Sequence, residues 1–145
     1  MDEAKTKTAT PPVHSIPDSG YSLANPLSLV DLIRAGVPWS LYRGVMTNLG
    51  LTDQVAAGVL HIPPRTLARR KGGRLEPEEG ERLMRLVRLV AQATEVLGSQ
   101  KKAVRWLESP NRALGGATPM SLLDTDVGTQ AAEAVLTRIE YGVFS

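Results

Sequence analysis

The chain has 145 residues, 42% of them apolar and 22% charged, with a formal net charge of +2 at pH 7; such values suit one domain, or two very small ones, able to bury a core. Cysteine is absent and the two histidines are His14 and His61, which excludes disulfides, thiol nucleophiles and cysteine-ligated zinc and argues against any metal site. No apolar stretch approaches the roughly 20 residues of a membrane span, and the polar start MDEAKTKTATPP is unlike a secretory signal, so a cytoplasmic protein is expected.

Charge is distributed unevenly. Residues 1–64 carry four basic and five acidic side chains, residues 65–105 eleven and five, and residues 106–145 two and five. A basic middle beside an acidic end points to two different partners rather than to one polyanion. With aromatics at 4% and no period-2 apolar runs, the expected fold class is all-α.

Residues 1–25 are rich in Thr, Pro, Ser and Gly. They bury too little apolar surface to offset the entropy of ordering and read as a flexible leader. Ser28 is the expected cap of a helix over Leu29–Ala35, ended by Gly36 and Pro38, and a second helix over Ser40–Leu49 is closed by Gly50. In LTDQVAAGVLHIPPRTLARRKGG, Thr52 caps Asp53–Leu60, with Asp53 at its positive end. His61–Ile62 makes a tight corner, where His61 has a structural role, and a short helix over Pro64–Lys71 stops at Gly72–Gly73. Val55, Ala56, Val59, Ile62 and Leu67 supply the apolar contact, and Ala56 and Ala57 allow close crossing. This is the pattern of a helix-turn-helix.

A long helix over Pro77–Leu97 follows, with Leu83, Leu86, Val87, Val90 and Leu97 on one face. Glu78–Arg82 and Glu81–Arg85 are expected as i,i+4 pairs on the other. Ser99 caps a helix through Glu108 in which Trp106 and Leu107 read as core. Gly115-Gly116 ends a helix rather than cradling a phosphate. Thr118-Pro119 opens a short helix to Leu123. Thr125, flanked by Asp124 and Asp126, is the expected cap of a final amphipathic helix from about Asp126 to Tyr141, with Val127, Ala131, Ala134, Val135 and Ile139 on its apolar side.

Two groups of residues stand out. Arg65, Arg69, Arg70, Lys71 and Arg74 fall in ten residues that contain no acid. Alone they describe a solvated basic face; on the second helix of a helix-turn-helix they describe a DNA surface. Arg65 and Thr66, near the helix start, are the candidates for base edges, and Arg69, Arg70 and Lys71, with Arg74 beyond, for phosphates. The second group is the ending Ile139, Tyr141, Val143 and Phe144, apolar where chain ends are usually polar. It either folds back onto its own core or enters a partner's pocket. No nucleophile, base and orienter can be assembled, so no catalytic site is expected.

The segment AVRWLESPNRALGGATPMSLLDTDVGTQAAEAVLTRIEYGVFS resembles the toxin-binding domain of the Xre/MbcA/ParS antitoxin family. The resemblance is carried by Trp106-Leu107, Pro110-Asn111, Leu114-Gly115-Gly116 with Thr118-Pro119, Leu122-Leu123, Thr125 through Gly128, and Arg138 through Phe144. PRTLARRKGGRLEPEEGERLMRLVRLVAQATEVLG is similar to the Xre-like helix-turn-helix and linker helix of the same family, and the resemblance spans about residues 28–145. It implies a helix-turn-helix DNA-binding and dimerisation domain at 26–98 and a toxin-binding domain at 99–145, with no enzymatic activity and no cofactor. The implied partners are a RES-domain toxin acting on NAD, a second copy of the chain, and promoter DNA that it represses. The C-terminal end then lies at or near the toxin's NAD site, which makes Arg138, Glu140, Tyr141, Gly142, Val143, Phe144 and Ser145 the toxin-facing residues. The long helix and the C-terminal half are the expected dimer surfaces. A free-standing dimeric regulator without a toxin is the alternative.

Overall fold

All regular structure in the computed structural model, which describes residues 24–142, is helical. Among the described residues the β pairing is confined to one antiparallel bridge, Pro38 to Arg74, where the Trp39 N–H donates to the Gly73 carbonyl and the Leu75 N–H to that of Val37.

Helix α1, Pro26–Ala35, starts earlier than Leu29 because Pro26 sits in its first turn, where its fixed φ suits a helix and its missing N–H costs nothing. Ser28 is not the cap; its hydroxyl donates to the Asn25 carbonyl. Helix α2, Trp39–Leu49, gains Trp39 through the bridge. Helix α3, Asp53–Leu60, is capped by Thr52, whose hydroxyl accepts from the Val55 N–H at 3.2 Å. It ends at His61, which takes φ 59° as the left-handed closing residue. Helix α4, Pro64–Arg69, is two residues shorter than expected. The Gly73 N–H turns back to the Arg70 carbonyl at 2.8 Å, and Gly72 adopts φ 78°, so Arg70 and Lys71 belong to the turn.

Helix α5, Pro77–Leu97, is opened by a capping box between Glu76 and Glu79 and forms the centre of the fold, packed against α1 and α3 and two later helices. Leu83, Leu86, Val87 and Val90 are buried, and Leu97 is half-buried. The apolar face of α5 is covered by its own chain, which makes α5 a shared core helix. The expected Glu78–Arg82 and Glu81–Arg85 pairs do not form. Arg82 donates instead to the Leu60 carbonyl and Arg85 to that of Leu123, acceptors of buried residues left over at a helix end and a turn.

Helix α6, Gln100–Leu107, is capped by Ser99 and tied to α2 by Gln100, which donates to the Asn48 carbonyl. Leu107 is buried and Trp106 packs half-buried against the same core. Two 3₁₀ turns follow, Arg112–Leu114, ended by Gly115 at φ 69°, and Pro119–Leu122. Helix α7, Asp126–Glu140, is capped by Thr125, which accepts from the Gly128 N–H. The core runs without a break from Leu29 to Leu136, so the two halves of the chain share it through α5.

The face of α7 differs from expectation. Thr129, Ala132, Val135 and Leu136 are buried and Ile139 is half-buried, whereas Val127, Ala131 and Ala134 are exposed. The packed face is rotated by about a quarter turn. Gly128 permits this packing: a Cβ there would stand 2.3 Å from the Leu122 carbonyl oxygen, so α7 lies close against the second 3₁₀ turn at this residue.

Candidate functional site

The basic segment divides once its side chains are placed. Arg65, Arg69 and Lys71 are exposed and Thr66 is half-buried, while Leu67 anchors α4 in the core. Arg70 is turned inward. Its Nε and Nη2 donate to the two carboxylate oxygens of Glu79 at 3.0 and 2.8 Å, a bidentate pair in which the Glu79 side chain is 6% exposed. Glu79 also accepts the Glu76 N–H at 2.8 Å. Burial pushes its carboxyl up, but the Arg70 and Glu76 hydrogen bonds and the charges of Arg70 and Arg82 outweigh burial and hold it below the usual carboxylate range. The hydrogen bond to Glu79 raises Arg70 in turn. Arg70 therefore fastens the end of α4 to the first turn of α5 and sets the angle at which α4 is presented. Arg74 is exposed but directs one donor to the Gly36 carbonyl at 2.8 Å.

The C-terminal group lies on a different element. Arg138 and Glu140 are exposed on the last turn of α7, Tyr141 is 74% exposed, and Gly142 follows at φ 69°. Val143, Phe144 and Ser145, like the leader before Ala24, lie outside the described residues. Tyr141 continues a stripe along the outer side of α7: Val127, Ala131, Ala134 and Arg138 are all exposed, at helical spacing, and Val127 is 76% exposed. The stripe is about 21 Å long at 1.5 Å per residue.

Two features escaped the sequence reading. One is this outer stripe, hidden because α7 has small and apolar residues on both sides. The other is a groove of about 580 Å³ beside α4, into which α2 brings Trp39 and Arg43; their i,i+4 spacing was the available signal. Among the described residues no cluster of His, Asp and Glu could hold a metal ion, and no helix is long and apolar enough to cross a membrane.

Comparison with known proteins covers both halves. Residues 28–88 match the antitoxin Xre-like helix-turn-helix domain, and residues 92–142 match the antitoxin Xre/MbcA/ParS C-terminal toxin-binding domain. Antitoxin Xre of Yersinia enterocolitica is 35% identical over 120 residues, 81% of each chain. The mycobacterial cidal antitoxin MbcA of Mycobacterium tuberculosis H37Rv is 31% identical over 107 residues, 72% of this chain and 93% of its own. The Prs ADP-ribosylating antitoxin of Sphingobium sp. YBL2 is 26% identical over 133 residues, 84% of each chain. With both domains in the same order and most of the chain matched, this protein belongs to the Xre/MbcA/ParS antitoxin family.

Proposed function

We propose that the chain is an antitoxin that binds and inhibits a RES-domain toxin acting on NAD, and that it represses its own promoter. The observation that carries the first part is the end of α7. It closes the segment matched as toxin-binding, presents an exposed Tyr141 and hands the chain on through Gly142 in a left-handed conformation. In this reading Val143, Phe144 and Ser145 enter the toxin's NAD pocket, and the outer stripe of α7 lies along its mouth. A relative named for ADP-ribosylation supports a toxin that draws on NAD, the donor of ADP-ribose in that chemistry.

Arg65, Thr66, Arg69 and Lys71 carry the DNA part, with Arg74 at the edge and Arg70 as the internal strut. A homodimer would let two short α4 helices read an inverted repeat about one or two helical turns apart. Coexpression with the product of the adjacent reading frame, followed by purification and an NAD turnover assay, tests the toxin reading. A stable complex with blocked turnover is expected. Failure of the two proteins to associate, together with binding to the upstream promoter, would leave a free-standing regulator.

A further inference from the structure

We propose that the groove between α2 and α4 is a second DNA contact, which holds a backbone phosphate of the duplex met by α4, with Arg43 and Lys71 as its cations. The inference rests on the DNA-binding reading above and adds to it a residue of α2, outside the α3–α4 pair.

The groove is walled by Trp39 and Arg43 on the α2 side and by Pro64, Ala68 and Lys71 on the α4 side. Pro64 and Ala68 are short, which leaves the space of about 580 Å³ open. Arg43 is held in place at its wall. Its Nη1 donates to Asp53 Oδ1 at 2.7 Å, and its guanidinium carbon stands 5.9 Å from the centre of the Tyr42 ring. Asp53 also accepts the Tyr42 hydroxyl at 2.7 Å. Burial of Tyr42, then its hydrogen bond to Asp53, push that hydroxyl's pKa up, so Tyr42 stays a donor at any working pH. Arg43 thus uses one of five N–H donors on Asp53 and keeps others for a second anion, with little side-chain entropy left to lose on binding.

The occupant follows from what borders the groove. Arg65 and Arg69 stand on the adjoining face of α4, about a quarter of a turn round from Pro64 and Ala68. A duplex that meets those arginines brings a sugar–phosphate strand past the groove, where Trp39 and Pro64 give apolar walls for deoxyribose and Arg43 and Lys71 give charge for phosphate. The groove continues a cationic surface, which favours a phosphodiester over a peptide.

The test uses the full chain and a duplex from upstream of its own reading frame, with a scrambled duplex beside it. Arg43→Ala should weaken binding to both duplexes by about tenfold and lower the salt slope by about 0.9, with an unchanged melting curve; Lys71→Ala should do the same. Among the described residues Asp53 is the acid lining the groove, so Asp53→Asn should tighten binding. The opposite signs are decisive, because both Arg43→Ala and Asp53→Asn break the same ion pair. If that pair served only to brace α2 against α3, the two variants would weaken binding together, and the inference would be overturned. An Arg43→Ala protein with unchanged affinity would overturn it too. Inorganic phosphate at matched ionic strength should not displace the duplex; displacement would assign the groove to a free phosphate instead. Wild-type protein that bound neither duplex would overturn the DNA reading itself, and the groove assignment with it.

Discussion

Replacing Arg70 with alanine separates a cation that holds the fold from one that holds DNA. Glu79 is left with the Glu76 N–H alone, in a site where its side chain is 6% exposed and that of Arg70 is 23% exposed. Removing one partner of a buried pair costs about 3–5 kcal/mol, because the remaining charge is uncompensated. The surviving hydrogen bond and the part exposure of Arg70 set the expected loss near 3 kcal/mol, a large share of a stability of about 5–15 kcal/mol. Urea unfolding followed by helical circular dichroism should show the midpoint falling by about 1–2 M.

The pH dependence carries a sign. In the wild type the Glu79 carboxyl is held below its ordinary value, about 4.3 when unperturbed. The pair's contribution is therefore complete above that value and is lost as pH falls through the lowered pKa. Without Arg70, burial moves the carboxyl the other way, so the variant's deficit should be largest near neutrality and shrink on acidification toward pH of about 4. An Arg70→Ala protein that kept its unfolding free energy within about 0.5 kcal/mol while losing DNA affinity would refute the assignment and return Arg70 to the DNA surface.

Arg69→Ala should weaken binding to specific and scrambled duplexes alike and reduce the salt slope by about 0.9, whereas Arg65→Ala should relax sequence preference; a promoter bound normally by the double variant would place the DNA face elsewhere. Deleting Gly142–Ser145 should leave the melting curve and DNA binding intact but abolish protection of cells from the toxin, and Phe144→Ala alone should cost about 2 kcal/mol or more of toxin binding if it is an anchor. Should the truncated protein still block NAD turnover, inhibition would have to come from the outer stripe of α7, where Val127→Asp is the next variant to measure. Two glycine-to-alanine changes should differ in sign. Gly58→Ala, with open space around its Cβ, should raise stability by about 0.5–1 kcal/mol, while Gly128→Ala, facing the Leu122 carbonyl at 2.3 Å, should lower it by at least about 2 kcal/mol; thermal melts decide both.

Much of this architecture is local and therefore readable along the chain. Thr52, Ser99 and Thr125 each cap the helix that follows them, because a side-chain oxygen next to an unpaired N–H needs no distant partner. The corner at His61, the long helix over Pro77–Leu97 and the helix-turn-helix follow from the same short-range rules, and spaced motifs such as Trp106-Leu107 and Thr125 through Gly128 carried the family. Tertiary structure decided what depends on facing elements. Helix α7 has small or apolar residues on two sides, and periodicity alone cannot choose between Val127–Ala131–Ala134 and Ala132–Val135–Leu136. The packing of α7 on its neighbours made the choice, with Gly128 closely approached by Leu122, and it left Val127, Ala131 and Ala134 of the expected core face in an open stripe while Val135 stayed buried. The same holds for charge. Arg69, Arg70, Lys71 and Arg74 look equivalent in sequence, yet Arg70 meets Glu79 across a turn and Arg74 meets the Gly36 carbonyl, because a buried carboxylate and an unpaired carbonyl each demand a donor. Which cations remain for a partner is thus set by packing, and so is the groove that brings Arg43 of α2 beside α4.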